Sequence, residues 1–251
     1  MDEFKIDEEY TLKKNPDTVH WDTYRYGKLL SKSTPKLFKF FSLNINNLDA
    51  LFRNYFYLAN PDDFNDPFDC NVNLIEDIGN LEEMTTVKRN NYKNIGICSF
   101  SEIIDSHLMW AHYTSNYNGW ALEFTGNKIE MYKQENLLRH TLTRVIYREN
   151  PVKIKKDYPF AQNYVMTTKF KHWEYEKEWR IIAELLQMDR ELFYSPKCVK
   201  AIYIGHKIFD SSPNIYKMII EIHTLRFPAI PMFVVYPHSS DLKLEFERVI
   251  N

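Results

Sequence analysis

Glycine is scarce in this chain, with 6 among 251 residues. None of the glycine-rich phosphate loops or dinucleotide fingerprints occurs, which excludes a phosphate cradle of that kind. Cysteine is scarcer still. Cys70, Cys98 and Cys198 stand far apart, with no Cys-x-x-Cys pair. That odd, scattered set gives neither a disulfide framework nor a zinc motif, and reads as buried reduced thiols of a cytosolic protein. The eight His are dispersed and form no His-Glu-x-x-His, and there is no Gly-x-Ser-x-Gly elbow, so no metal is expected. No apolar run approaches membrane-spanning length. The start, Met1-Asp2-Glu3-Phe4-Lys5, lacks the apolar core of a secretory signal. The expectation is a soluble, cytoplasmic protein without a membrane partner. Neither sign of charge dominates, since 32 Lys and Arg meet 34 Asp and Glu. No global basic field draws the chain onto nucleic acid.

What the chain has in quantity is rings. Aromatic residues make up 16% of it, enough to build a core or a cleft on them. Residues 1–35 are polar and mixed in charge, broken by Pro16 and Pro35. Trp21, Tyr24 and Tyr26 could anchor this stretch as a folded extension on a single domain, 36–251. Strand patterns fall at 36–42, 55–59, 94–101, 120–124, 142–147, 198–205, 231–236 and 242–249. Helical patterns fall at 46–53, 80–91, 108–113, 160–172 and 214–225. Short strands among irregular helices predict an α+β fold, a mostly antiparallel twisted sheet with peripheral helices.

One stretch stands out: Trp173-Glu174-Tyr175-Glu176-Lys177-Glu178-Trp179-Arg180. If extended, Glu174, Glu176, Glu178 and Arg180 share one face, and Trp173, Tyr175, Trp179 and Ile181 the other. Like charges that close repel, so the pattern calls for a compensating cation or ligand. The plain alternative is a solvated acidic edge bridged by Lys177 and Arg180. Phe64-Asn65-Asp66-Pro67-Phe68-Asp69 reads as a tight turn clamped by two Phe, with Asn65 or Asp66 also open to a ligand role. In Leu108-Met109-Trp110-Ala111-His112-Tyr113, His112 could orient a ligand hydroxyl or be a hydrogen-bonded core histidine. The basic stretch from Lys128 to Lys156 reads as a solvated face.

These blocks, with Leu37-Phe38-Lys39-Phe40, Ser99-Phe100-Ser101, Gly119 and Glu123-Phe124, resemble the bacterial domain of unknown function 2971 family from about 36 to about 208. The family label implies kinship and no activity. More weakly, the order of elements is similar to ADP-ribosyltransferase domains. Leu37-Phe38-Lys39-Phe40-Phe41-Ser42 looks like their opening strand, with Lys39 where they carry His. That likeness implies NAD as substrate, Glu178 as the catalytic carboxylate and Glu176 as the other candidate. It also implies Lys39 and Ser42 as nucleotide contacts. Trp110, His112 and Tyr113 would lie against the ligand, Tyr113 by stacking, and Arg180 would pair with phosphate or with Glu176.

The chemistry suits the residues. Breaking the nicotinamide–ribose bond builds positive charge on the sugar, as in glycoside hydrolysis, and a fixed carboxylate stabilises it. A rival reading is a non-catalytic sensor or adaptor, for example in phage defence, that binds a ligand or partner in the same cleft. A third is a nuclease with Asp66, Asp69, Glu123 and Glu178 converging on magnesium.

Overall fold

The computed structural model describes residues 3–14, 21–30, 36–76, 92–126, 129–132, 137–158, 160–186 and 189–250, with Glu82, Thr86, Arg89, Asn90 and Glu135 between them. The expected helix at 80–91 lies mostly outside these residues.

The N-terminal part forms β1 (Glu3–Lys5), β2 (Tyr10–Lys14), β3 (Trp21–Arg25) and β4 (Lys28–Leu29), an antiparallel sheet in that order. Then come β5 (Lys36–Phe41), α1 (Ile45–Arg53), β6 (Tyr55–Tyr57), β7 (Ile95–Ser101), α2 (His107–Tyr113), β8 (Trp120–Thr125), β9 (Leu137–Arg144) and β10 (Ile146–Arg148). The chain closes with α3 (Ala161–Thr167), β11 (Thr168–Phe170), β12 (Glu178–Leu185), β13 (Glu191–Phe193), β14 (Val199–Gly205), α4 (Ile208–Ser211), α5 (Pro213–Arg226), β15 (Met232–Pro237) and β16 (Leu244–Ile250).

Eight strands make the main sheet, in the order β16–β15–β14–β8–β5–β7–β12–β9. All its neighbours run antiparallel except β14 and β15, which α4 and α5 connect. Parallel neighbours need such a crossover. The fold is therefore α+β around a mostly antiparallel sheet. One face packs Leu37, Phe41, Trp120, Phe124, Trp179 and Ile181 against α1 and α5. On the other, Phe38, Phe40, Trp110 and Tyr203 form a second aromatic core. Period-two alternation along β5 feeds both: Leu37 and Phe41 go one way, Phe38 and Phe40 the other.

Asn44 starts α1, its side chain accepting the Asn47 amide at 2.8 Å. Asn54, in the left-handed region at φ 59°, ends it. Sequence had offered Asn46 or Asn47 as the cap, and the true cap lies two residues earlier than the nearer of them. Gly119 precedes β8 because nothing larger fits. A Cβ there would lie 2.0 Å from the Phe41 carbonyl oxygen. Gly119→Ala is expected to cost at least about 1–3 kcal/mol, since backbone cannot yield as a flexible side chain does. Urea denaturation checks this, and an unchanged midpoint would contradict the close approach.

The N-terminal sheet docks through Ile6, Tyr10 and Leu12, which share a core with Ile146, Ile154, Phe160 and Tyr164. Phe4 adds ring contacts to Tyr158 and Phe160. Tyr26, expected as an anchor, is exposed.

The largest departure from the sequence reading is at 160–180. The expected helix over 160–172 stops at Thr167, and β11 follows. Residues Lys171–Glu176 then form 3-10 turns and not an extended strand. Lys177 sits in the left-handed region at φ 46° and turns the chain into β12. Glu174 therefore does not share a face with Glu178. It lies near the surface beside Lys177, 3.9 Å away. Trp179 and Ile181 do enter the core, as alternation from Glu178 onward requires.

Candidate active site

The main sheet is split. β5 and β7 join at one register position, Phe38 with Ser101. Beyond it they part, and Lys39 and Phe40 meet Ser99 and Phe100 across a cavity of about 280 Å³. Phe64, Asn65 and Asp69 from the Phe64–Asp69 turn, and Tyr113 from α2, complete the walls. The cavity's charged lining also includes Lys169, Glu176, Glu178 and Arg180.

Each charged group arrives for a local reason. β12 pairs with β7 so that Glu178 opposes Ser101 and Arg180 opposes Ser99. Two residues apart on a strand, Glu178 and Arg180 share a face. Glu176 comes from the end of the 3-10 turns and is carried round by left-handed Lys177. Its carbonyl accepts the Ser101 hydroxyl at 2.6 Å. Asp66 caps its own turn, accepting the Phe68 amide at 2.8 Å, and the turn delivers Asp69. Lys169 lies on β11.

Arg180 is fully buried and spends its guanidinium on two carboxylates. Nε donates to Glu178 Oε1 at 2.7 Å, and Nη2 to Glu178 Oε2 at 3.1 Å. Nη1 and Nη2 also grip Asp69 at 2.9 and 2.6 Å, and Nη1 donates to the Met166 carbonyl at 2.7 Å. Lys169 Nζ bridges Glu176 Oε2 at 2.7 Å and Glu178 Oε2 at 3.2 Å, with Asp69 at 3.5 Å. It also lies 4.8 Å from the centre of the Trp173 ring. The Tyr113 hydroxyl donates to Glu176 Oε1.

The two acids are driven apart. Burial, and then the charge of Glu178, raise Glu176 above the usual carboxylate range. Burial acts on Glu178 the same way, but Arg180 and then Lys169 outweigh it and hold that carboxyl at about 2. Burial would lower Lys169, yet Glu178, Asp69 and Glu176 keep it firmly charged. Burial, then Glu176, raises the Tyr113 hydroxyl, so it remains a donor. Two carboxyls with opposed proton affinities in one cavity divide into an ion and a proton acceptor.

The cavity adjoins a larger chamber of about 690 Å³, lined by Ser42, Asn44, Asn46, Tyr55, Tyr57 and Arg190 among others. Lys39, Phe40, Phe64, Ser99 and Tyr113 border both. Glu176, Glu178, Lys39, Tyr113 and Arg180 are thus brought together, and Ser42 stands in the adjoining chamber. Trp110 is not there: it is fully buried in the second aromatic core, its indole N–H donating to the Ile104 carbonyl at 2.7 Å. His112 lies outside as well, exposed and 3.1 Å from the Tyr175 hydroxyl. Arg180 pairs with Asp69 and Glu178 and not with Glu176. The four carboxylates of the nuclease reading do not converge. Glu123 is bound to Lys36 at 2.9 Å and Tyr203 at 2.6 Å, while Asp66 caps its turn.

Residues 109–181 match the family model described as protein of unknown function (DUF2971). In that segment the chain is similar to the DUF2971 family. The match spans α2 through the start of β12, and so includes Tyr113, Lys169, Glu176, Glu178 and Arg180. No curated protein and no solved structure gives a significant match. Among the described residues, no helix is long and apolar enough to cross a membrane.

Proposed function

We propose that this cleft is an active site that cleaves the N-glycosidic ribosyl bond of a nucleotide such as NAD, by hydrolysis or by ADP-ribosyl transfer. The observation that carries this reading is the pair Glu176 and Glu178, buried in one ring-walled cavity with opposed proton affinities. The two chambers, about 280 and 690 Å³, match the size of small-molecule sites, roughly 300–1,000 Å³. In the proposed step the C1′–N bond breaks and its electron pair leaves with the nicotinamide nitrogen. Glu178, ionised, stabilises the positive charge on the ribose. Water or an acceptor hydroxyl attacks C1′ and gives its proton to Glu176. Tyr113 orients Glu176, Phe40 and Phe64 offer ring faces, and Lys39, at the junction of the chambers, meets the phosphates. Ser42 contacts the nucleotide beyond it.

Incubation with NAD tests this directly. Wild type is expected to release nicotinamide, and Glu178→Gln to release it at least about 100-fold more slowly. Equal release from both would end the assignment.

One observation favours a second reading, a ligand-binding sensor without turnover. Both oxygens of Glu176 and of Glu178 already hold internal partners, and both residues are under 5% exposed. In that case NAD or a related nucleotide raises the melting temperature, and no nicotinamide appears.

A further inference from the structure

Two groups that hold the acid pair come from one short ribbon. β10 and β11 run parallel, and their register sets Tyr147 beside Lys169. Lys169 bridges Glu176 and Glu178. The Tyr147 hydroxyl accepts the Glu178 amide at 2.8 Å, just where the chain leaves left-handed Lys177. The neighbouring Val145 amide donates to the Glu178 carbonyl at 3.0 Å. Residues 145–148 thus clasp the Glu178 backbone from both sides.

A ribbon of two three-residue strands is too small to hold its own geometry. Here the N-terminal sheet supports it. Ile146 is buried with Ile6, Tyr10 and Leu12. Arg148, the residue after Tyr147, pairs with Asp7 and lies 5.0 Å from the centre of the Tyr10 ring. Asp7 is itself fixed, accepting the Glu9 and Tyr10 amides at 2.8 Å each. Side chains at 146 and 148 thus face the sheet, while Tyr147 points the other way, toward the acids, as strand alternation requires.

We infer that the N-terminal sheet is a working part of the candidate site, acting through the Asp7–Arg148 clamp to hold Tyr147 and Lys169 against Glu178 and Glu176. Tyr147 and Arg148 are positioning residues in this arrangement. The inference rests on the site proposed above and not on which bond that site cleaves, so the two can fail separately.

Nuclear magnetic resonance of the full chain, labelled at backbone amides and at glutamate side-chain carboxyls, tests it without a substrate. The groups facing the two acids include Arg180, Lys169, Asp69, Tyr113, Tyr147 and Ser99, and those facing Arg148 include Asp7, Tyr10 and Tyr164. In Tyr147→Phe the Glu178 amide is expected to exchange at least tenfold faster, with the Ala121 and Ile202 amides of the central sheet unchanged. In Arg148→Ala the same amide is expected to speed up, and the Glu176 and Glu178 carboxyl signals to shift. Arg148→Lys, which keeps the charge, restores much of both. Should Arg148→Ala fail to fold, Asp7→Asn, nearly isosteric, gives the deciding comparison. Wild-type exchange at Glu178 and unmoved carboxyl signals in folded Arg148→Ala or Asp7→Asn would overturn the inference.

Discussion

Arg180→Met is expected to lower the stability of the fold by about 3–5 kcal/mol, the cost of stripping a buried ion pair of one partner. Methionine fills much of the volume, so the loss is electrostatic and not a cavity effect. Arg180 is fully buried and makes five hydrogen bonds to Glu178, Asp69 and the Met166 carbonyl. Without it, Glu178 and Asp69 fall back on Lys169, which Glu176 already holds at 2.7 Å. Arg180→Lys should recover only part of the loss, because an ammonium cannot grip two carboxylates with a planar fork. Urea denaturation at neutral pH measures both variants. A loss under about 1 kcal/mol for the methionine variant would mean that the cluster relaxes by taking up protons or water.

The sheet was largely legible because its strands alternate strongly and its turns carry clear signals. β7, β8, β14, β15 and α5 lie within a residue or two of the sequence expectation. Their rings and β-branched residues agree with the burial they meet, so local preference and tertiary packing point the same way. Residues 173–177 failed for the opposite reason. Period-two spacing of Glu174, Glu176 and Glu178 mimics a strand, yet Lys177 adopts a left-handed conformation that non-glycine residues seldom take. Nothing local to lysine announces such a turn. It is fixed by what surrounds it: Glu176 drawn to Tyr113 and Lys169, and Glu178 to Arg180.

The site shows the same division. The repulsion among the glutamates called for a cation, and that demand was visible in the sequence. Of its two suppliers, Arg180 was named there and Lys169 was not. Lys169 sits in Thr168-Lys169-Phe170, which carries no motif and reads as the end of a helix. Asp69 entered only the nuclease reading, yet it forms half of the grip on Arg180. Tyr147 and Ser99 were passed over too, since their roles come from pairing across long sequence separations. His112, next to Tyr113 in the chain, points elsewhere because a helix sends consecutive residues 100° apart, whereas Trp110, one turn earlier, is taken up by the Ile104 carbonyl and the second aromatic core. On α2, Met109 and Tyr113 line the cavity, and Tyr113 also donates to Glu176.

Stability should also respond to acid in a way that separates the two glutamates. Glu178 is held at about 2 in the folded chain, against an ordinary value of 4.5. A carboxyl lowered by folding contributes stability that is fully present above its unfolded value and lost as pH falls toward its folded one. At 1.36 kcal/mol per pH unit, that contribution is roughly 3 kcal/mol, lost between about pH 4.5 and 2. Glu176 runs the other way. Its folded value is raised, so the folded chain keeps a proton that the unfolded chain has released. Its contribution is present below the ordinary carboxylate range and declines as pH climbs through its raised value. Stability should therefore climb with pH on the acid side and sag beyond it. Glu178→Gln should flatten the acid limb, and Glu176→Gln the decline above it. Urea midpoints of both variants and the wild type, taken at half-unit steps from pH 2.5 to 8, read the two limbs separately. An acid limb that survives in Glu178→Gln would mean that Glu178 is not the carboxyl whose proton affinity folding lowers.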